Sequence, residues 1–149
     1  MKVYIVTKEP FPIGMAATNR IICLAKAFIS AGVDCIVIVF SRTYKDNSIP
    51  GVGVFEGVPY EYIGGSSQRP SIKWLARLQS LWLRVALLCY LKKKIQSGDV
   101  VYDFIGKSNR LKDKIIGLVH GKGGFCVREL NEYPFGTGKE TNKTAKQRE

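Results

Sequence analysis

The sequence predicts an α/β domain, doubly wound around a mostly parallel sheet. Strand-length apolar runs alternate with helix-length segments of 3.6-residue periodicity. One run, Cys35-Ile36-Val37-Ile38-Val39-Phe40, is continuously apolar, as expected of a parallel strand covered on both faces. Glycines and capping residues mark the joints between segments, at Gly14, Gly32, Gly98 and Ser108 or Asn109.

In chain order, Lys2–Thr7 reads as a first strand, residues 8–15 as a loop and Ala16–Ala31 as a helix. Ile21, Leu24, Ala25, Phe28 and Ile29 recur on one helical face. Gly32 stops this helix and Asp34–Phe40 follows as the second strand. Val52–Phe55 and Val58–Ile63 flank Glu56-Gly57, a hairpin signal, and Pro59 confines the pair to a sheet edge or an excursion. Residues 64–70 form a flexible loop, Ser71 is placed to cap a long helix reaching about Ile95, and Asp99–Ile105 is the next strand. A further helix points Leu111, Ile115, Leu118 and Val119 inward. Residues 121–124 are a loop, Phe125–Arg128 is the last strand, and residues 136–149 are a polar tail, disordered or opening a helix. The expected domain is 1–135.

The chain has 149 residues, enough for one cored domain, and its 46% hydrophobic content excludes an intrinsically disordered class. Cys23, Cys35, Cys89 and Cys126 have no C-x-x-C spacing and lie among apolar residues, which predicts reduced core thiols in a reducing compartment. The start runs directly into a strand and lacks the pattern of a signal peptide, so a cytoplasmic location is expected. Charge is uneven. Residues 1–72 hold 7 Lys/Arg and 5 Asp/Glu, net +2, whereas residues 73–149 hold 16 and 7, net +9. A basic half attracts anionic partners, although any single lysine does no more than keep a surface soluble.

Open α/β sheets bind ligands beyond the carboxyl ends of their strands. Three segments are placed there: Pro10–Asn19, Gly106–Arg110 and Arg128–Phe135. A G-x-G-x-x-G fingerprint and a Walker A loop are both missing, which disfavours a dehydrogenase or an ATPase. Gly14, just before the first helix, either brings backbone N–H groups close to an anion or merely starts the helix. Asn19 and Arg20 lie on the first helical turn at the same mouth, as ligand contacts or as a solvated face. Glu129 and Glu132 are the carboxylates of the last loop, suited to accept hydroxyl hydrogen bonds or to pair with nearby cations. His120, at a helix end, stabilises the helix dipole. No metal-ligand spacing and no Ser-His-Asp set is present, and no nucleic-acid reader motif accompanies the positive charge.

The long helix carries a stripe of Trp74, Leu75, Leu78, Trp82, Val85 and Cys89, with Lys73, Arg77, Ser80 and Arg84 on the opposite strip. Leu87, Tyr90 and Leu91 make its second half apolar nearly all round before Lys92-Lys93-Lys94. Arg77, Gln79 and Arg84 interrupt the run, against a membrane span. One face packs on the sheet. The other is covered by another domain or loop, or lies on an anionic bilayer surface through Lys73, Trp74, Arg77, Arg84, Lys92, Lys93 and Lys94.

Pro10-Phe11-Pro12-Ile13-Gly14-Met15-Ala16-Ala17-Thr18-Asn19-Arg20, then Leu24–Phe28 and Ala31–Val37, resembles the amino-terminal domain of group 1 glycosyltransferases of the GT-B fold. Glu56-Gly57-Val58-Pro59 and Arg128–Pro134 are similar to members that build bacterial surface polysaccharides. The resemblance implies the incomplete amino-terminal half of two facing Rossmann-like domains, the first binding acceptor and the second a nucleotide-sugar. It implies a retaining enzyme in which Gly14 and Met15 approach the donor diphosphate and sugar. Phe11, Asn19, Arg20, Asn109, Glu129, Asn131 and Glu132 are then acceptor-side candidates. The acceptor would be a saccharide or lipid-linked, and the protein peripheral at the inner membrane. The family's donor-binding domain with its paired glutamates is not in this sequence, so the chain is expected to bind no cofactor itself and to be inactive alone. Two departures from the family pattern follow. Met15 replaces a second glycine, and His120 does not match the family's histidine position, so no catalytic residue carries over.

Overall fold

The structure is a computed structural model that describes residues 1–45, 48–106 and 109–128. The elements are β1 (Lys2–Thr7), α1 (Ala16–Ser30), β2 (Asp34–Val39), β3 (Pro50–Phe55), β4 (Val58–Ser66), α2 (Lys73–Lys94), β5 (Val100–Phe104), α3 (Asn109–Gly121) and β6 (Phe125–Arg128). They build one six-stranded sheet in the order β3-β4-β2-β1-β5-β6, parallel throughout except for β3. The chain winds from β1 outward through β2 to β4, then crosses back and winds the other way through β5 to β6. With one hand of crossover, the two directions place their helices on opposite faces. Accordingly α1 packs with Val3, Ile5, Val37 and Val39 on one face, while α2 and α3 pack with Tyr4, Val6, Ile38 and Val101 on the other. The doubly wound α/β expectation is met.

β1 and β2 sit at the centre, which explains their unbroken apolar character: every residue from Val3 to Thr7 is buried. β3 is the edge strand, and its Val52 and Val54 remain exposed. Pro59 lies beside that edge, opposite Val54 of β3, and the β2–β4 ladder starts one residue later at Val37–Tyr60. A proline can therefore occupy β4 without removing a ladder hydrogen bond on its inner side. Asp99 ties the strand starts together. Its carboxylate, 6% exposed, accepts the backbone N–H of Lys2 (2.8 Å) and of Gln96 (3.0 Å).

Several sequence expectations need correction. The buried face of α1 is Thr18, Ile21, Ile22 and Ala25, rotated from the expected stripe, and Ile29 is exposed. Ser71 does not cap α2; Ile72 holds that position and makes no side-chain cap. The apolar stripe of α2 is not its packed face. Leu83, Leu87 and Leu91, one turn apart, meet the sheet, whereas Trp74, Leu75, Leu78, Leu81, Trp82 and Val85 are 41–63% exposed. The stripe has more apolar residues, but the shorter leucine row faces the strands. Cys23 and Cys89 are exposed rather than in the core, Cys126 is half-buried and Cys35 is buried; all four are free thiols. The α1 side of the β5–β6 end is also open, leaving Phe125 and Val127 exposed.

Cys35 gives the fold an alkaline limit. Burial pushes its thiol up from 9.0 to about 11, with the Lys2 ammonium opposing the shift. Above pH 9 the unfolded chain loses this proton first, so stability is full below pH 9 and falls as pH rises toward 11. A shift of this size corresponds to about 2–3 kcal/mol. Burial also raises the Tyr62 and Tyr4 hydroxyls from 10.0, extending the loss upward. Urea titrations at pH 7, 9, 10 and 11 should show a flat segment and then a decline. In Cys35→Ala the decline should start about one pH unit later, where tyrosine takes over.

Candidate functional site

The loop after β1 is held in place by hydroxyl groups. Tyr62 donates to the Phe11 carbonyl (2.6 Å) and accepts the Phe11 N–H (3.4 Å). Tyr44 does the same for Ile13, at 2.6 Å and 3.1 Å. Thr18, in the first turn of α1, donates to the Pro10 carbonyl (2.6 Å). Burial raises both tyrosine hydroxyls, keeping them protonated donors. Gly14 is shaped by this arrangement: a Cβ there would collide with Thr18 Oγ1 and lie 2.9 Å from the Pro10 carbonyl oxygen. The packing of the loop on α1 thus requires glycine at this position whatever else approaches it. Phe11 is a core side chain, fully buried, its ring 5.4 Å from that of Tyr60. Met15 is 83% exposed at the N-cap of α1, whose first turn carries no acidic residue. Gly14 and Asn19 border a groove of about 340 Å³ with Lys26, Phe55 and Glu56, on the α1 face of the sheet; Lys26 and Glu56 form an ion pair across it. Arg20 is exposed on α1. Asn109 is the first residue of α3. Glu129, Asn131, Glu132 and the 136–149 tail lie outside the described residues.

A larger crevice, about 580 Å³, opens at the carboxyl ends of β1, β2 and β4 on the α2 face. The segments just after β1 and β2 contribute Lys8, Phe40, Ser41, Arg42 and Thr43. Arg69 comes from the segment after β4, and the first half of α2 forms a wall. No residue of α2 before Leu83 is buried, so this half turns Lys73, Arg77, Ser80 and Arg84 toward the crevice instead of packing on strands. Lys8, Arg42, Arg69, Lys73, Arg77 and Arg84 all line it, and no lining residue is a carboxylate. Among the described residues none of these six cations forms an ion pair, whereas Lys26, Lys112 and Arg128 do. Arg42 is held by donation from Nη2 to the Gly64 carbonyl (3.2 Å), and its Nε is buried with no hydrogen-bond partner. Burial lowers the pKa of this guanidinium. Gly64, at φ +83°, is where both Arg42 and the Trp82 ring close on the backbone; a Cβ there would sit 2.9 Å from that ring and 3.1 Å from Arg42 Nη2. The Lys8 ammonium lies against Gly106, at 3.1 Å from where a Cβ would be, on the β5 side of the switch between the two winding directions.

Comparisons with known proteins identify no relative. A scan of family models, a search of curated proteins and a search of solved structures each returned no match.

Lys73, Arg77 and Arg84, candidates from the sequence for a membrane surface, border the crevice. Sequence reasoning passed over Lys8, Arg42 and Arg69. A usable signal was present: each follows the carboxyl end of β1, β2 or β4 by one to three residues, where an α/β sheet gathers its ligand contacts. The crevice and the Gly14 groove lie on opposite faces of the sheet rather than in one mouth. A third cleft, about 280 Å³, holds Asp103 between Lys112 (3.6 Å) and Arg128 (3.2 Å). The Asp103 carboxylate also accepts the Ile105 N–H, so it is fully engaged within the fold. No group of three or more metal-ligating side chains occurs among the described residues, and none of their helices is long and apolar enough to cross a membrane.

Proposed function

We propose that this chain is the acceptor-binding, amino-terminal half of a retaining GT-B glycosyltransferase that acts on a surface-polysaccharide or lipid-linked acceptor. The observation that carries the reading is the strand order β3-β4-β2-β1-β5-β6 with a basic crevice at the carboxyl edge. That edge is where such a domain faces its partner domain, and the motif order from Pro10 to Val37 supports the same family. The nucleotide-sugar belongs to the second domain in this reading, so the chain alone transfers no sugar. No catalytic residue is assigned to it.

Amide hydrogen exchange tests the division of labour. A short-chain prenyl-diphosphate-linked saccharide is expected to slow exchange at residues 40–43 and 73–84 more strongly than a nucleotide-sugar at the same concentration. Protection by the nucleotide-sugar alone, or sugar transfer catalysed by this chain, would reverse the assignment.

A second reading, a membrane-surface module, is favoured by one feature. α2 has no acidic residue, carries six basic ones, and exposes both tryptophans together with Leu78, Leu81 and Val85. This combination suits adsorption to an anionic bilayer.

A further inference from the structure

We propose that the basic crevice binds a diphosphate group. The inference rests on the preceding reading only in calling the bearer of that group an acceptor. Six cations from three strand-end segments and one helix line about 580 Å³ with no carboxylate among them. Like charges gathered in a concavity repel one another, and low-dielectric walls focus their field. An anion in the crevice relieves that repulsion.

The charge and the donor geometry point to more than one phosphoryl unit. A monophosphate ester brings about −1.5 to −2 at neutral pH, well short of six cations. Four of the six are arginines, whose planar forks pair with phosphate oxygens bidentately. Ser41, Thr43 and Ser80 add hydroxyl groups to the lining, and Arg42 still has an unpaired Nε. The volume is ample for a diphosphate and part of what it is attached to.

The lining argues against a nucleic-acid strand. Its one aromatic residue, Phe40, is 7% exposed, so no ring is presented for bases to stack on. A diphosphate could be borne by an isoprenoid lipid or by a nucleoside, and the chemistry recognised is the same for both.

The test is isothermal titration of the full chain at matched ionic strength with inorganic phosphate, inorganic pyrophosphate, farnesyl diphosphate, uridine diphosphate and poly-U RNA. Pyrophosphate is expected to bind at least tenfold more tightly than phosphate. Arg42→Gln should weaken it tenfold or more. Arg77→Gln, at an exposed helical position with no packing role, should weaken it severalfold and carries the test if the Arg42 variant is poorly folded. Lys92→Gln/Lys93→Gln removes two charges from the far end of the same helix and should change affinity less than twofold. Equal binding of phosphate and pyrophosphate overturns the proposal. So does an equal loss in the Lys92/Lys93 control, or tighter binding of poly-U per phosphate than of pyrophosphate. Farnesyl diphosphate binding above pyrophosphate identifies a lipid-linked bearer and upholds the acceptor reading. Uridine diphosphate binding above pyrophosphate upholds the diphosphate site while rejecting the acceptor reading.

Discussion

Leu87→Ala is expected to lower the free energy of unfolding by about 3–4 kcal/mol, near the middle of the range for leucine truncation in a packed core. Leu87 has no exposed surface and lies between Leu83 and Leu91 in the row that joins α2 to the sheet. The loss combines the transfer free energy of the deleted carbons with a cavity that neighbouring strands cannot fill. Against a typical total of about 5–15 kcal/mol, it would unfold a visible fraction of the chain near its melting temperature. Leu81→Ala and Val85→Ala, on the outward side of the same helix, should change stability by no more than about 0.5 kcal/mol. Urea titration with unchanged slope measures both. A cost at Leu81 equal to that at Leu87 would mean that α2 is anchored through its tryptophan side instead.

The largest expected effect on a surface interaction belongs to that tryptophan side. Trp74 and Trp82 are 63% and 54% exposed. Burying a large apolar side chain is worth roughly 1.5–3 kcal/mol, so Trp74→Ser/Trp82→Ser should reduce partitioning onto phosphatidylglycerol vesicles by about a hundredfold. Wild-type binding should weaken as salt rises, because the cations at the end of the helix act through a screened field. Co-sedimentation reads both. Binding of wild type to neutral phosphatidylcholine vesicles with equal strength would remove the electrostatic part of the idea. Indifference of the double variant would remove the idea altogether.

The fold was legible because the central strands state their own environment. Cys35–Phe40 is apolar on both sides, and a sequence two-sided in this way has few alternatives to a covered parallel strand. Gly32 and Gly98 mark their turns by positive φ, +76° and +84°. What failed was orientation. On α2 both the leucine row and the tryptophan stripe satisfy helical periodicity, and periodicity does not say which one meets the sheet. The same ambiguity hid from the sequence that Lys73, Arg77 and Arg84 form a crevice wall. Arg42 and Arg69 were missed for another reason. Each stands alone in the sequence, and only the neighbouring positions of β2 and β4 bring them together. Gly14 was read for its possible ligand, and its collision partner, Thr18, lies four residues on along a helix whose register had first to be known.

Placing every tryptophan of the chain on one helix has an optical consequence. Trp74 and Trp82 are the chain's two indoles, and both already meet water in the native state. Emission should therefore begin at long wavelength and move little when the sheet melts, so a fluorescence melting curve would under-report loss of the core. The same colour would shift strongly to the blue when anything apolar covers α2, which makes these two indoles a built-in reporter of contact rather than of folding.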